Sequence, residues 1–519
     1  MLFSRFAVSS AATLCLMTTA AAADLRAAEV WGDWRSYMEG LGYAVTATES
    51  ADGSTLSVSD ITVQMGATPE GGSMTLRMGP LQFVESGSGT VEVVMPQTMP
   101  LIFDITPGPE GAQEGVGSAD DQVLITLDYT QTNPRMTVSG DPAAMAYDYS
   151  ADAVGIVLSA LTVDGVPMDA TTAQFALSGD ALRSQTSVTV GESRSYDQNI
   201  TLGNMVYDMY FKDPEGPEAM RLNTTVQNLS FEGRTTLPLD PVGQTQDLGP
   251  LLAAGFTVDG TFSTQTSENR IEITSEEGIS RIKTGSAKTA LRVAAAPEGI
   301  RYDLASEQVE LGGQLAGLPI PLYVEAANSG FSLLVPVMKS DTPQDFSLAA
   351  NLTGFTMSDI IWALFDPAGQ LPRDPATVAV DLAGKARVLI DALDTAQMQR
   401  LATGDTPPAE VSALDIRQLT VEAVGARIDA TGAFTFDNTD MTTVPGFPKP
   451  VGGISIDIAG ANGLLDRLVA MGFLPTEQVM GARMMLGLFA VPGAAPDTLN
   501  SRIDFNEAGE ILANGQRIR

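Results

Sequence analysis

The chain has 519 residues, with 63 acidic and 29 basic side chains, a formal net charge of -34, no histidine and one cysteine. Because there is no imidazole, a Ser-His-Asp triad, a histidine-bearing metal site and a histidine general base are excluded. The strong negative charge repels phosphate backbones, so nucleic acid is not expected as a partner.

The start of the chain has the pattern of a secretory signal peptide, residues 1–23. Arg5 gives a short positive start, residues 6–17 form an apolar run too short to span a bilayer, and residues 20–23 are alanines that suit cleavage. We predict cleavage after Ala23 and a periplasmic location. Cys15 lies inside this segment, so the mature chain contains no cysteine and must fold without disulfides in an oxidising compartment.

Residues 24–45 are predicted to form an N-terminal amphipathic helix. Its apolar stripe recurs at steps of three and four residues and consists of Trp31, Trp34, Met38 and Leu41. Polar residues, among them Asp33, fall on the other faces. A one-sided helix of this kind is expected to pack on a sheet.

Residues 46–355 alternate apolar and polar positions, which predicts an antiparallel β-sheet region. One such segment carries apolar side chains at Leu56, Val58, Ile61 and Val63. Clusters of Gly, Pro, Asp and Asn separate the segments at spacings that suit hairpin connections. The predicted fold is mainly β (β-rich α+β): a long curved antiparallel sheet of many short strands with a few capping helices.

Three further regions complete the predicted organisation. Residues 356–460 predict a short helix, which carries Trp362, followed by more β-sheet. Residues 461–492 predict a helical hairpin, and residues 493–519 predict a C-terminal β-hairpin. The apolar side chains of the helical hairpin include Leu468, Met480 and Met484.

The sequence carries no motif of a cofactor or metal site. Neither a calcium-binding loop, nor a P-loop, nor a dinucleotide fingerprint is present, and no segment after the signal reaches the roughly 18 apolar residues of a transmembrane helix. We therefore expect no cofactor, no metal, no catalytic residue and no transmembrane helix in the mature chain. The acidic residues are scattered rather than clustered, which is typical of a solvated, acidic protein surface.

Four segments together resemble a known family. They are residues 31–34 (Trp-Gly-Asp-Trp), residues 371–375 (Leu-Pro-Arg-Asp-Pro), the hairpin from Leu464 to Phe489 and residues 514–517 (Asn-Gly-Gln-Arg). They look like the uncharacterised exported alphaproteobacterial group known as domain-of-unknown-function family 2125. The resemblance implies an envelope location and no particular chemistry. The architecture is more loosely similar to AsmA-like envelope proteins, whose antiparallel strands form long grooves that hold lipid chains.

The leading functional hypothesis is a non-enzymatic cell-envelope protein with an extended β-sheet groove. Such a groove would bind lipid, another amphipathic ligand or an envelope protein partner. Alkyl chains buried there gain about 0.8 kcal/mol per methylene, so affinity needs no catalytic group. The candidate ligand-binding residues are Trp31, Trp34, Trp362, Leu468, Met480 and Met484.

Two alternatives remain at this stage. An outer-membrane β-barrel also begins with a signal and alternates along its strands, but aromatic residues are only 6% of the chain and its last three residues are Arg-Ile-Arg. A carboxylate-dependent extracytoplasmic hydrolase needs neither histidine nor cysteine. The sequence indicates no specific carboxylate pair for such an enzyme.

Overall fold

The computed structural model of the chain describes residues 24–65, 72–106, 122–214, 216–239, 248–394, 397 and 407–519. The predicted signal peptide, residues 1–23, lies outside the described residues. The strands belong to one large antiparallel sheet that is accompanied by few helices, which confirms the mainly β fold. Among the described helices, none has the length and apolar character needed to cross a membrane.

The helices of the described residues are α1 (Ala27–Gly40), α2 (Leu248–Ala253), α3 (Asp359–Trp362), α4 (Ala461–Ala470) and α5 (Thr476–Phe489). The first strands are β1 (Ala44–Asp52), β2 (Thr55–Met65), β3 (Ser73–Met78), β4 (Leu81–Glu85), β5 (Val91–Val94), β6 (Thr98–Thr106), β7 (Val123–Thr132), β8 (Arg135–Asp141), β9 (Ala144–Val163) and β10 (Val166–Met168). The middle strands are β11 (Ala173–Val190), β12 (Ser193–Lys212), β13 (Ala219–Pro238), β14 (Thr257–Thr264), β15 (Thr266–Ser275), β16 (Gly278–Ser286), β17 (Lys288–Ala296), β18 (Gly299–Gln314), β19 (Leu322–Val335) and β20 (Gln344–Met357). The last strands are β21 (Ala376–Val388), β22 (Ala409–Ala423), β23 (Ala426–Asp437), β24 (Lys449–Ala459), β25 (Val491–Pro492), β26 (Thr498–Phe505), β27 (Ile511–Ala513) and β28 (Gln516–Arg517).

The sheet is a meander in which each strand pairs with the strands next to it in the chain. Several pairs of consecutive short strands are the two halves of one longer strand. For example, β13 pairs with β14 along one half of its length and with β15 along the other. In the same way, β18 pairs with both β16 and β17. In the long middle section, each full-length strand, and each pair of half-strands such as β14 and β15, therefore crosses the sheet from one border to the other.

A line of backbone irregularities crosses the sheet at the same level in successive strands. We call this line the crease and define it by six residues with left-handed φ angles of 48 to 66°: Asp60, Asn133, Ala181, Asn228, Gln308 and Gly354. Register places them on one line. Ala181 lies opposite Gly203, and Gly203 lies opposite Asn228, in each case where the ladder of paired residues is interrupted. Gln308 occupies the corresponding gap between β18 and β19.

The crease adds one residue to each strand that crosses it. Apolar side chains alternate on either side of the crease but are three residues apart across it, as between Val58 and Ile61 in β2 and between Leu202 and Met205 in β12. Since side chains alternate faces with a period of two, the extra residue returns the apolar positions to the same side of the sheet. We call that side the apolar face and the opposite side the charged face. Aligned bulges of this kind also bend a sheet.

Side-chain hydrogen bonds link neighbouring strands at the crease. The amide of Asn133 donates to Asp152 at 2.7 Å, and that of Asn228 donates to Gln265 at 2.8 Å. The Asp180 carboxylate accepts hydrogen bonds from the backbone and side chain of Asn204. The Asp180 carboxylate therefore gives the Asn204 backbone N–H a partner where the ladder is interrupted, whereas the Asn133 and Asn228 bonds join side chains on neighbouring strands.

The crease also accounts for the one respect in which the strands differ from expectation. The sequence suggested many short strands, whereas β9, β12 and β13 each contain 20 residues. The step of three residues at the crease interrupts the alternation in the sequence, so each half of a long strand resembles a separate short one.

The main hydrophobic core lies where α1 and α2 pack on the apolar face of the first half of the sheet. Glu29 of α1 accepts a hydrogen bond from the backbone N–H of Arg26 at 2.8 Å, which fixes the start of the helix. Fully buried core side chains include Val30, Trp31, Val58, Phe83, Val91, Val138, Leu237 and Leu252. Farther along the sheet, apolar side chains on the same face are exposed.

We predict that Ala181→Gly stabilises the protein by about 1 kcal/mol. A left-handed conformation costs an alanine roughly 1–2 kcal/mol, and glycine avoids that cost. The midpoint of urea-induced unfolding of the mature protein measures the change.

The matched control is Ala176→Gly, five residues earlier in the same strand, where φ is not left-handed. Glycine at an ordinary strand position is expected to destabilise by about 0.5–1 kcal/mol. If both substitutions lower the midpoint equally, the crease at Ala181 is not a strained backbone position.

Candidate ligand-binding site

The sheet carries several cavities, with volumes of about 560 to 850 Å³. One of them, of about 630 Å³, lies beneath α1 and has a mainly apolar lining. Trp34, Tyr37 and Met38 contribute the helix side of this cavity, which we call the α1 cavity. Its sheet side comes from strands between β3 and β12. The volume falls within the range of pockets that hold small organic ligands.

The α1 cavity straddles the crease. Met99 and Tyr129 line it from one side of the crease, and Tyr149 and Thr186 line it from the other. The hydroxyl oxygens of Tyr129 and Tyr149 are 2.8 Å apart. Side chains on both sides of the crease therefore converge on one space, which means that here the sheet bends toward its apolar face.

Much of the lining is methionine. The five methionines that line the α1 cavity are Met38, Met78, Met95, Met99 and Met136. Methionine is unbranched and polarisable, so its side chain adapts to apolar groups of different shapes. Leu76, Leu101 and Val188 extend the apolar surface.

A buried ion pair fixes α1 above the cavity. Arg194 of β12 forms a salt bridge with Asp33, and the Tyr147 hydroxyl donates a hydrogen bond to the other Asp33 oxygen at 2.7 Å. The side chain of Asp33 is only 3% exposed and that of Arg194 is 16% exposed. Burial raises the pKa of Asp33, while the Tyr147 hydrogen bond and the Arg194 charge act in the opposite direction. Asp33 lies away from the apolar stripe of α1, as the sequence pattern indicates, but it is buried rather than solvated because Arg194 and Tyr147 supply polar partners inside the protein.

Hydroxyl and amide groups form a second polar network in the cavity wall. Tyr149 donates to the Gln131 side-chain oxygen at 2.6 Å, and the Gln131 amide donates to the backbone carbonyl of Pro96 at 2.9 Å. Burial and the hydrogen bond with Tyr129 raise the pKa of Tyr149, so its hydroxyl stays protonated at neutral pH. This network is uncharged and joins strands on both sides of the crease.

Beyond the cavity, the apolar face continues as an open surface. Register carries the cavity row at Tyr149 and Ser184 onward through Ile200 to Phe231, Phe262, Leu291, Leu304 and Phe331 on successive strands. The rings of Phe231 and Phe262 are 4.5 Å apart. The adjacent row contains Gly233 and Gly260, where any Cβ atom would collide with the Phe231 ring. We call this surface, from β13 to β20, the open apolar face.

Its side chains are substantially exposed. Phe262 is 45% exposed, Val293 39%, Leu348 38% and Phe331 37%. At about 4.8 Å between neighbouring strands, the six strand levels from β13 to β20 span about 24 Å. An apolar surface of this size is typical of an interaction site.

The opposite side of the same strands is ion-paired. Arg234 pairs with Asp197, and Arg292 pairs with Asp259, both at 2.6 Å. These side chains are 44 to 67% exposed. The charged face therefore has the character of a solvated surface, and the two faces differ sharply in polarity.

Trp31 and Trp34 occupy different environments although both pack on Phe83. Trp31 is 2% exposed, belongs to the core, and donates a hydrogen bond from its indole nitrogen to Glu49 at 2.8 Å. The Trp34 ring makes an edge contact with Phe83 at 5.6 Å and lines the α1 cavity. Of the residues predicted to bind ligand, Trp34 is the one that lines this cavity.

The other four predicted residues belong to α3, α4 and α5. Trp362 is 8% exposed and packs against Phe365 and the Arg373 guanidinium. Leu468 is half-buried. Met480 and Met484 lie one helical turn apart on α5 and are 65% and 69% exposed. None of these four is among the residues that line the α1 cavity, and their part in binding stays a prediction.

The α1 cavity offers little for catalysis by two carboxylates. Asp33 is the one carboxylate among the residues that line it, and both its oxygens have partners. Within the described ranges, no group of three or more Asp, Glu, His or Cys side chains is arranged to hold a metal ion. A two-carboxylate hydrolase requires a facing pair of acids.

The comparisons with known proteins concern the second half of the chain. Residues 262–508 match a family described as an uncharacterized protein conserved in bacteria (DUF2125). Of the four segments that carry the resemblance, residues 371–375 and the hairpin from Leu464 to Phe489 lie within the match, whereas residues 31–34 and 514–517 lie outside it. A search of curated proteins gave no match, and a search of solved structures gave none.

We predict that Asp33→Ala destabilises the protein by about 3 kcal/mol, because it leaves the Arg194 guanidinium buried without its carboxylate. Replacing the whole group with apolar side chains, as Asp33→Leu with Tyr147→Phe and Arg194→Met, should restore most of that loss. Urea unfolding of the mature protein measures both changes.

The exposed pair of Asp259 and Arg292 serves as the control. Asp259→Ala should cost less than about 1 kcal/mol, since both partners are solvated. Equal losses from Asp33→Ala and Asp259→Ala would show that the pair beneath α1 has no special role in stability.

Proposed function

We propose that this protein is a non-enzymatic, exported cell-envelope protein that binds lipid or another amphipathic molecule along its apolar face. The observation that carries the proposal is the continuity of the open apolar face with the α1 cavity. Both lie on one side of one sheet. The core that contains α2 reaches this side of the sheet at Ala295 and Ile300, while Phe262, Val293, Phe331 and Leu348 on the same side are exposed. The signal-like start of the sequence supports the envelope location.

The energetics favour an amphipathic ligand. When a ligand covers exposed phenylalanine, valine and leucine side chains, the binding free energy becomes more favourable by about 25 cal/mol for each Å² of apolar surface removed from water. An acyl chain lying across the strands would cover the row that includes Val293 and Leu348. Affinity then comes from burial alone, as it does when alkyl chains enter other apolar environments.

The architecture adds support by analogy. AsmA-like envelope proteins, to which the strand pattern is loosely similar, hold lipid chains in grooves formed by antiparallel strands. Here the crease bends the sheet toward its apolar side at the α1 cavity, which provides a comparable concave surface. The apolar surface of α5, with Met480 and Met484, is available for the envelope protein partner predicted from the sequence.

The test is native mass spectrometry, with lipid extraction, on the mature protein purified from the periplasmic fraction without detergent. The expected result is a stoichiometric co-purifying lipid. A clean mass of the protein alone, together with no lipid in the extract, would contradict the proposal.

Substitutions then locate the bound molecule. The double variant Val293→Asp, Leu348→Asp places two charges on the open apolar face and should lower lipid occupancy about tenfold or more, which corresponds to about 1.4 kcal/mol. Val206→Asp is the matched control, because Val206 is 40% exposed but lies on the charged face. If the control lowers occupancy as much as the double variant, the lipid does not bind to the apolar face.

A further inference from the structure

The polar groups of the α1 cavity that remain available to a ligand are all uncharged. Ser184 and Thr186 of β11 and Gln198 of β12 line the cavity from the sheet side. Thr186 and Gln198 are directly paired in register, and Ser184 lies two residues away on the same face. Among the described residues, none of these three side chains has a hydrogen-bond partner. They form a row of hydroxyl and amide groups that we call the polar row.

The charged groups at the cavity, by contrast, are already satisfied. One Asp33 oxygen accepts from Arg194 and the other accepts from the Tyr147 hydroxyl. The ion pair is neutral as a unit and its members are nearly buried. It therefore offers neither a free cation for an anionic head group nor a free carboxylate for a cationic one.

We infer that the α1 cavity selects amphipathic molecules whose head group is uncharged and forms hydrogen bonds, such as the hydroxyl and ester groups of a monoacylglycerol. This inference rests on the proposed lipid-binding function and specifies the class of ligand. The polar row binds the head group, and the methionines with Trp34 contact the acyl chain. An ionised head group has no counter-charge in the cavity and must lose water to enter it, which is unfavourable. The protein's net charge of -34 adds repulsion against anionic lipids.

Trp34 makes the inference measurable, because it lines the cavity and is one of three tryptophans in the chain. The probes are 1-monoacylglycerol and free fatty acid with the same dibrominated 18-carbon chain, each added to the mature full-length protein at pH 8, where the acid is ionised. Bromine quenches tryptophan fluorescence at short range. We expect the monoacylglycerol to quench the fluorescence and to bind about tenfold more tightly than the acid.

Variants of the polar row test the assignment to this cavity. Ser184→Ala, Thr186→Val and Gln198→Leu should each weaken monoacylglycerol binding about three- to tenfold, the range for one lost hydrogen bond, and should leave fatty acid binding little changed. Ser187→Ala, on the charged face of the same strand, is the control and should have no effect. Trp34→Phe should remove most of the quenching.

The outcomes separate this inference from the proposed function. Equal affinity for the two probes, or fatty acid bound more tightly, overturns the preference for an uncharged head group but leaves lipid binding intact. Quenching that is undiminished in Trp34→Phe places the probe elsewhere and overturns the assignment to the cavity. If neither probe quenches and native mass spectrometry also finds no lipid, the proposed function fails as well.

Discussion

Every strand that crosses the crease must contribute its extra residue at the same level. A shift of one residue moves all later side chains of a strand to the opposite face. A single strand without the extra residue would therefore place apolar side chains on the charged face for half its length. The continuity of the apolar face, the bend beneath α1 and the placement of polar side chains at the crease all depend on this agreement among strands. At the crease, Asp180 accepts a hydrogen bond from the Asn204 backbone N–H, and the side chains of Asn133 and Asn228 bond to side chains on neighbouring strands.

The α1 cavity follows from that bend together with the way α1 is attached. The bend brings side chains from both sides of the crease toward one space, and α1 forms one wall of that space. The ion pair of Asp33 and Arg194 connects positions 161 residues apart in the chain. It holds one face of α1 against β12, while Trp31 and Phe83 pack at the other. Methionine side chains occupy much of the remaining boundary, which leaves the shape of the cavity adjustable.

The sequence predicted the composition of the fold better than its geometry. Alternation and turn residues were sufficient to indicate an antiparallel, mainly β chain, and the stripe containing Trp31 and Trp34 was sufficient to indicate a helix that packs on it. The signal of the crease was present as well, in the spacing from Val58 to Ile61, but in a single strand that spacing is indistinguishable from the end of one strand and the start of another. Only the repetition of the step of three residues at matching register reveals a common line.

The candidate site was harder to predict for a related reason. Asp33 resembles a solvated residue of an amphipathic helix until Arg194 is known to lie beside it, and no local pattern connects the two. Ser184, Thr186 and Gln198 are ordinary polar residues of half-buried strands in sequence, and become distinctive because a helix from far earlier in the chain lies above them. Trp34 was found because aromatic side chains on a one-sided helix are visible in sequence, whereas the cavity it lines is formed by strands that are distant in the chain.

The meander has a consequence for how such a protein changes in length. Since each strand contacts only its neighbours in the chain, the sheet behaves much like a repeat protein, in which units add at a border without rearranging the rest. Insertion or loss of one two-stranded hairpin that carries its own crease residue would alter the width of the apolar surface by about 10 Å and leave the register elsewhere intact. The number of hairpins thus sets the width of the apolar surface, and with it the length of ligand that the surface can contact, without changing the end of the sheet on which the helices pack.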